Sequence, residues 1–319
     1  SPRFALAFPI TDKGYLHFSY GHFFQNPNFS YIYNNPEFEV PAASGVNSTM
    51  GNANMEPQRT TQYEVGFSQQ IGRDVGIELT GYFKDIRNLN STEIKKSFIA
   101  GDRYGLYVNK DHANSKGITC AISKRSLKNF SGNLDYTYSI SEGNASDPTA
   151  AFYDEQSDIE PEKMLVPLDW DQTHSLNGSV FANYKKWGAN TVFQFGAGYP
   201  YTPQITNYES QGEVLSTVLL RNSRRKPSTF RMDVKLHRDI NFGELNGKFY
   251  VRVQNLTDRR NQISVYGDSG KANQTIEQAR AQAISPFEPM RPNTLEQFFN
   301  RPDWYDPPRQ IQMGLQIAW

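Results

Sequence analysis

Histidine and serine are the residues of this chain that could carry catalytic or metal-binding chemistry. The five histidines fall on separate predicted segments, with no H-x-x-x-H spacing and no cysteine partners, so the sequence predicts no zinc site. His174 and Ser175 are neighbours on a predicted strand, where their side chains point to opposite faces and cannot pair as base and nucleophile. No G-x-S-x-G, phosphate-binding loop or dinucleotide motif is present. We therefore expect no enzyme, no metal site and no cofactor. The histidines are His17, His22, His112, His174 and His237.

Aromatic side chains in the long polar stretches are the better candidates for ligand contacts. Their faces can stack on sugars, aromatic chelators and corrinoids alike, since all of these offer apolar or π surface. Packing within the loops is the competing interpretation. The candidates are Tyr31, Tyr33, Phe152, Tyr153, Tyr199, Tyr201 and Tyr208.

Charge and cysteine content exclude several classes of protein. Basic and acidic residues number 33 each, so no excess of positive charge indicates a nucleic-acid partner. The single cysteine, Cys120, excludes a disulfide framework. The negative mean hydropathy would suggest a soluble secreted β protein. A transmembrane β-strand gives the same average, however, because only every second residue faces lipid.

Eleven segments show the period-two alternation of β-strands. In the clearest one, apolar side chains from Phe230 to Leu236 alternate with Arg231, Asp233 and Lys235. A one-residue slip would move these three charges to the apolar face, so the register is strongly specified. The segments are approximately 2–9, 14–23, 61–71, 75–88, 104–126, 130–141, 173–185, 189–199, 228–240, 247–257 and 308–319.

The apolar faces meet the requirement that a lipid bilayer would impose on them. A Lys or Arg that faces lipid at the midplane costs roughly 2–4 kcal/mol, and the sequence predicts no charge in the middle of these faces. The opposite, polar faces are predicted to line a lumen. The predicted lumen residues are Arg231, Asp233, Lys235, Arg252 and Gln254.

The connections between these segments alternate strictly between short and long. Tight periplasmic turns and long extracellular loops give outer-membrane barrels this pattern, whereas a soluble sandwich has no reason to sort its loops in this way. The short connections lie near 10–13, 72–74, 127–129, 185–188 and 241–246, and the long ones span approximately 24–60, 89–103, 142–172, 200–227 and 258–307.

The parity of the connections also orients the chain. If the short turns are periplasmic, the last strand ends in the periplasm at Trp319, and Trp170 and Trp187 lie at opposite ends of one strand in the two aromatic girdles. A bacterial single-chain barrel has an even number of strands. We therefore expect residues 1–319 to form the C-terminal eleven strands of a 22-stranded barrel, with the plug domain and the first half of the barrel absent from this sequence.

Several strings, in the right order along the whole chain, resemble the barrel of TonB-dependent receptors, particularly those of the Bacteroidetes lineage. The stretch from Glu56 is similar to a "kPE-x-T-x-x-yE-x-G" strand, with Gln58 where an acidic residue is usual. The stretch from Val253 resembles a "v-x-N-l-x-D" strand. The matching strings are 1–12 with 18–27, 56–66, 82–86, 169–177, 253–258 and 308–315.

The resemblance implies an outer-membrane receptor of a Gram-negative bacterium that imports a scarce nutrient, such as a siderophore, vitamin, oligosaccharide or peptide. Its implied partners are outer-membrane lipid, the TonB complex through the missing plug, and the barrel-assembly machinery through Trp319. A passive porin-like channel and a secreted glycan-binding β protein are the alternatives. Basic residues from Arg221 to Lys226 could bind an anionic lipopolysaccharide or pair with the acidic residues between Asp154 and Glu162, which could otherwise bind Ca²⁺.

Overall fold

The computed structural model describes residues 1–35, 45–96, 102–125, 129–156, 164–204, 221–242, 245–278 and 294–318. The described fold is all-β, with three short helices and a 3-10 turn in the connections. The strands are β1 (Arg3–Thr11), β2 (Gly14–Gln25), β3 (Gly45–Met50), β4 (Gln58–Ile71), β5 (Val75–Lys96), β6 (Asp102–Lys124), β7 (Phe130–Gly143), β8 (Val166–Pro167), β9 (His174–Tyr184), β10 (Trp187–Gly196), β11 (Pro200–Tyr201), β12 (Arg224–Arg225), β13 (Thr229–Phe242), β14 (Leu245–Gln254) and β15 (Gln310–Ala318). The helices are α1 (Phe29–Tyr33), α2 (Ala150–Gln156) and α3 (Leu295–Phe299), and the 3-10 turn is Pro302–Trp304.

One large antiparallel sheet organises the chain, and its main path confirms the eleven predicted strands. Each strand pairs with its neighbours on the path, whose order is β1-β2-β4-β5-β6-β7-β9-β10-β13-β14-β15. The path follows the sequence order and leaves out four short strands. Of the shorter strands, β3 pairs in parallel with β6, β8 pairs with β7, and β11 and β12 form a separate pair. This meander places all short connections at one edge of the wall, the turn end, and the long ones at the other, the loop end.

The apolar face is continuous across the sheet because residues directly opposite each other on paired strands share a face. Its side chains are well exposed, with Phe4 at 61% and Met313 at 70%. The opposite face carries mainly polar and small side chains, such as those of the row His17, Gly66, Thr80 and Thr119. One unbroken apolar row runs Phe8, Leu16, Phe67, Leu79, Cys120, Tyr136, Leu176, Phe195 and Phe230.

Lys116 lies on the apolar face, in an aromatic row rather than in the middle of the face, so the expectation of no charge in the middle stays a prediction. It is directly opposite Phe83 on β5 and Ile140 on β7. The same row continues from Phe83 through Tyr63 to Tyr20, so Lys116 lies in an aromatic row. At such a level a cation costs about 0–1 kcal/mol, because its charged end can reach polar surroundings.

The hairpin of β5 and β6 also differs from the prediction, which placed a long loop at 89–103. Both strands continue past the wall, to Lys96 and from Asp102, through an irregularity next to Asn88, which has φ +60°. A membrane-crossing strand needs only about 9–11 residues, whereas β5 has 22 and β6 has 23. The excess forms an arm beyond the loop end, to which β3 adds a third strand by pairing with β6.

The buried side chains lie mainly among the connections at the loop end, because the wall is a single sheet. The buried hydrophobic residues of the described chain are Met50, Tyr107, Ala113, Ala150, Phe152, Val166, Leu168 and Ala272. In the described ranges, no helix has the length and apolar character to cross a membrane.

Candidate ligand-capture loops and lumen wall

The arm of β5 and β6 supports the first of two loop clusters. Helix α1 is started by Asn28, whose side chain accepts a hydrogen bond from the Ser30 amide at 3.0 Å. Its Tyr31 ring then packs on Tyr107 of β6, with 4.9 Å between centroids. Burial raises the pKa of Tyr31, with further contributions from Tyr107 and Asp147.

Helix α2 packs into the same cluster through Phe152, which is 6% exposed. Gly105 of β6 makes this packing possible, because a Cβ there would lie 2.7 Å from the Phe152 ring. Tyr153, the next residue, points outward and is 56% exposed. The two neighbouring aromatics therefore differ in role: one packs the loop and the other is available to a ligand.

A set of side-chain bonds fixes the chain that leads from this cluster back into the wall. Asn109 of β6 accepts a hydrogen bond from the Glu56 amide at 2.7 Å and donates one to the Asn88 carbonyl at 3.0 Å. The Asn88 amide group donates to the Glu56 carboxylate at 3.1 Å. Glu56 stands at the first position of the string that resembles "kPE-x-T-x-x-yE-x-G", where the pattern has "k", and it secures the start of β4 to the irregularity in β5.

An ion pair connects the first cluster to the loop between β10 and β13. Arg221 donates two hydrogen bonds to the Asp154 carboxylate, at 2.7 and 3.0 Å. Burial raises the pKa of Asp154, although Arg221 opposes the shift. The predicted pairing of the basic and acidic loop residues is thus present at Arg221 and Asp154, while Asp158, Glu160 and Glu162 lie outside the described residues.

Asp171 and Asn222 strengthen this connection at the rim of the wall. Asp171, which is 1% exposed, accepts a hydrogen bond from the Ser141 amide at 2.7 Å and one from Arg225 at 2.5 Å. Asn222 donates to the Pro167 carbonyl at 2.8 Å and has φ +56°. Each of the two loops therefore depends on side chains of the other.

A second loop cluster lies between β14 and β15. Asn255, with φ +51° and 2% exposure, donates to the carbonyls of Arg259 and Pro307 at 3.1 and 3.2 Å. The Asp258 carboxylate accepts the Arg309 amide at 2.9 Å. Asn255 and Asp258 come from the "v-x-N-l-x-D" string and Arg309 from the "PR" string, so the two motifs close the base of one loop together.

The top of this second cluster is aromatic. The Tyr266 ring lies 4.6 Å from Trp304 and 6.4 Å from Phe299, measured between centroids. Its hydroxyl donates to the Phe299 carbonyl at 2.9 Å, and burial raises its pKa. Tyr201 packs its hydroxyl against Gly270 of the same loop. Tyr201 is the one residue of this aromatic cluster among the predicted ligand residues. Tyr266 was not predicted, since nothing in the local pattern around it distinguishes it from other loop aromatics.

The structure divides the predicted ligand residues into packed and accessible ones. Tyr31 and Phe152 belong to the first cluster, and Tyr201 to the second. Tyr33, Tyr153 and Tyr199 are exposed, at 63%, 56% and 42%. Tyr208 lies outside the described residues. The residues that hold the loops together, above all Asn222 and Asn255, were not predicted as a functional set.

The predicted lumen residues share the polar face of β13 and β14. Lys235 lies directly opposite Arg252, and its amine is 4.8 Å from the centroid of the Tyr250 ring. Arg231 forms an ion pair with Asp233 at 3.0 Å. Gln254 lies opposite Gln310 on β15. The alternation predicted for this part of the wall is therefore confirmed.

The family model described as "TonB dependent receptor-like, beta-barrel" matches residues 1–256. The chain belongs to this family. The resemblance to TonB-dependent receptors is thereby confirmed, whereas its narrower placement in the Bacteroidetes lineage stays a prediction. Members of the family are transport receptors of the Gram-negative outer membrane rather than enzymes. No curated protein sequence matches the chain.

Solved receptor structures share the fold at low sequence identity. The outer-membrane transporter YddB from Escherichia coli has a TM-score of 0.57 and 11% identity over 78% of this chain and 35% of its own. FpvA of Pseudomonas aeruginosa bound to a pyoverdine has a TM-score of 0.56 and 12% identity over 98% and 32%. The ferric-catecholate receptor Fiu from Escherichia coli has a TM-score of 0.52 and 14% identity over 84% and 32%. The chain thus spans about a third of the length of these receptors.

The tryptophans predicted for the aromatic girdles of the receptor barrel lie beyond opposite ends of β9. Trp170 precedes the strand at the loop end and Trp187 begins β10 at the turn end, with 50% and 54% exposure. Trp319 lies outside the described residues. In the described ranges, no group of three His, Cys, Asp or Glu side chains is placed to hold a metal ion.

Proposed function

We propose that this chain forms the C-terminal half of the barrel of an outer-membrane receptor that captures a scarce nutrient in its extracellular loops and imports it with energy from TonB. The family match over residues 1–256 carries the proposal. In this reading the loop end is extracellular, the turn end is periplasmic, the apolar face meets lipid and the polar face encloses a plug domain supplied by the rest of the protein.

The arrangement of the loops supports capture of a ligand there. Two clusters are each anchored to the wall, and exposed aromatic rings at Tyr33, Tyr153 and Tyr199 remain available above them. An aromatic contact of this kind contributes about 0.5–1.5 kcal/mol. The polar residues Lys235 and Arg252 would meet the plug within the lumen.

The class of cargo stays open between a siderophore, a vitamin, an oligosaccharide and a peptide. The similar structures include FpvA bound to a pyoverdine-iron complex, a ferric-catecholate import receptor and a copper transporter. These ligands belong to those proteins, and the shared fold accommodates all of them. The recognition of Trp319 by the barrel-assembly machinery likewise stays a prediction.

Uptake by cells that carry the full-length receptor tests the proposal. We expect one labelled probe among a ferric catecholate, a corrinoid and an oligosaccharide to enter these cells, and its uptake to stop when TonB is deleted. Uptake of all three probes without TonB would instead establish a passive channel. Retention of the protein in the soluble fraction would favour the secreted glycan-binding alternative.

Variants of the exposed aromatics locate the capture site. Tyr33→Ala, Tyr153→Ala and Tyr199→Ala should each weaken binding of the transported probe by about two- to tenfold, because each removes a stacking surface. Tyr63→Ala is the matched control, since Tyr63 is 49% exposed on the apolar face, away from the loops. Equal binding by all four variants would exclude these tyrosines from the site.

A further inference from the structure

A row of aromatic and basic side chains crosses the apolar face at the turn end. Tyr184 of β9 lies opposite Trp187 of β10, Trp187 lies opposite Arg238 of β13, and Arg238 lies opposite Phe249 of β14. The Arg238 guanidinium is stacked over the indole ring, 5.1 Å from its centroid. A cation is therefore held on the lipid-facing surface by its neighbours in the row.

Two further cations lie over aromatic rings at the same end of the sheet. The Lys185 amine is 5.3 Å from the centroid of Tyr184, and the Lys124 amine is 5.3 Å from the centroid of Phe130. The positive φ of Lys185, +54°, places this residue in the tight turn between β9 and β10. A cation over an aromatic ring thus occurs three times next to a short connection: Arg238 and Lys124 lie on the apolar face, and Lys185 lies in the turn itself.

These cations have no acidic partner among the described residues. The carboxylate next in sequence to Arg238 is that of Asp239, which is on the polar face and pairs with Lys248 at 3.6 Å. At the loop end, by contrast, Arg87 of the apolar face is paired with Asp85 at 3.0 Å. The three cations at the turn end are therefore left without a compensating carboxylate in the described part of the protein.

A phospholipid phosphate can supply the negative charge that these cations lack. The phosphate of a glycerophospholipid lies at the boundary between water and hydrocarbon, where Trp and Tyr rings are favoured. A guanidinium can donate two parallel hydrogen bonds to phosphate oxygens. The rings of Trp187, Tyr184 and Phe249 would contact the glycerol and upper acyl region of the same molecule.

We propose that Arg238, Trp187 and Tyr184, with Lys185, form a binding site for the headgroup phosphate of an anionic phospholipid of the periplasmic leaflet. This inference rests on the outer-membrane location proposed above, because that location decides which lipid meets the turn end. The site is separate from the ligand-capture loops, which lie at the opposite end of the same strands.

Native mass spectrometry of the full-length receptor in detergent, titrated with dioleoyl-phosphatidylglycerol, tests the site. We expect Arg238→Gln to weaken binding of the first lipid by about fivefold, which corresponds to the contribution of one basic residue near an anionic membrane surface. Arg238→Lys should recover part of the loss, since it restores the charge without the planar fork. Trp187→Leu serves as a second variant and should also weaken binding.

Lys235→Gln is the matched control. Lys235 lies on the same strand, over the ring of Tyr250 at 4.8 Å, but on the polar face. It should leave lipid binding unchanged. Equal binding by the wild type, Arg238→Gln and Trp187→Leu would overturn the site, as would displacement of the lipid by inorganic phosphate alone.

Density-gradient fractionation of cells that carry the full-length receptor distinguishes failure of the lipid site from failure of the proposed function. A receptor that sediments with the outer membrane but binds phosphatidylglycerol equally in all variants would refute the lipid site alone. A receptor that is absent from the outer-membrane fraction would refute the location and, with it, the proposed function.

Discussion

The two ends of the sheet are held together by different kinds of interaction. Between the turn end and the rim, backbone ladders and a period-two choice of side chains define the wall, and few specific side-chain bonds are needed. Beyond the rim, single residues each make several hydrogen bonds: Asp171 to Ser141 and Arg225, and Asn255 to Arg259 and Pro307 of its own loop. The wall therefore tolerates many apolar residues at one position, while the loops depend on particular ones.

This difference teaches where the family's sequence motifs act. Asp171, Asn255 and Asp258 all lie at the loop end, and each binds another segment of the protein. Asp171 and Asn255 are also buried, and an unpaired buried polar group costs about 1–3 kcal/mol, so each of these two anchors needs its partners in place. Recognisable motifs then indicate the frame of the capture site and leave its contact surface free to vary.

The largest expected effect is a charge placed on the lipid-facing wall. Val253→Arg should lower the free energy of unfolding by about 2–4 kcal/mol, because Val253 lies opposite Val234 and Ile311 on the apolar face, four residues further into the wall than Phe249 of the turn-end row. Urea unfolding of the full-length receptor in lipid vesicles, followed by its electrophoretic mobility, measures the change.

Gln254→Arg on the same strand is the control for the added charge, since Gln254 is on the polar face. This variant should lower the free energy of unfolding far less. Equal losses for the two variants would show that the faces had been assigned incorrectly and would remove the contrast between wall and loops.

Removal of a loop anchor should have the next largest effect. Asn255→Ala deletes bonds to Arg259 and Pro307 and leaves a non-glycine residue at positive φ, so the loop between β14 and β15 should lose about 1–3 kcal/mol of local stability. Limited proteolysis of intact cells would report the opening. Asn273→Ala, an exposed change in the same loop, should leave cleavage slow.

The wall could be predicted from the sequence better than the loops could. The strand from Phe230 was predictable because a slip of one residue would expose three charges to lipid, and the wall register agrees. The continuation of β5 past Asn88 was missed, since its polar residues serve an arm in water rather than a lipid face. The anchoring roles of Asn222 and Asn255 could not be predicted, because Asn222 binds Pro167 of another loop and Asn255 binds Pro307 at the far end of its own loop.

The ion pair between the loops should contribute less than a single anchor. Arg221 and Asp154 are partly exposed, at 27% and 14% of their side chains, so a double-mutant cycle with Arg221→Gln and Asp154→Asn should give a coupling of about 1 kcal/mol. Hydrogen exchange of α2 in the full-length receptor would measure it. Arg224→Gln is the neighbouring control, and a loss equal to that of Arg221→Gln would show that general charge, rather than this contact, stabilises the loop.

The smallest effect concerns the acidic residues of the β5 and β6 arm. Burial raises the pKa of Asp111, although its bond to Ser91 and the charges of Lys110 and His112 oppose the shift. The folded arm therefore binds this proton more tightly than the unfolded arm, and its stability should fall as pH rises from the ordinary aspartate value through the raised one. Asp111→Asn should remove that fall and change exchange protection at neutral pH by about twofold.

Glu93 of the same arm provides a control of opposite sign. Its pKa is lowered, chiefly by the hydrogen bond from Lys95 at 2.9 Å. The stability from this pair should be present at neutral pH and be lost as pH falls through the lowered pKa, and Glu93→Gln should abolish that loss. If both variants changed the pH profile of exchange in the same direction, the arm would respond to its net charge. Opposite directions would show that individual environments govern the loop end, as they do for its anchors.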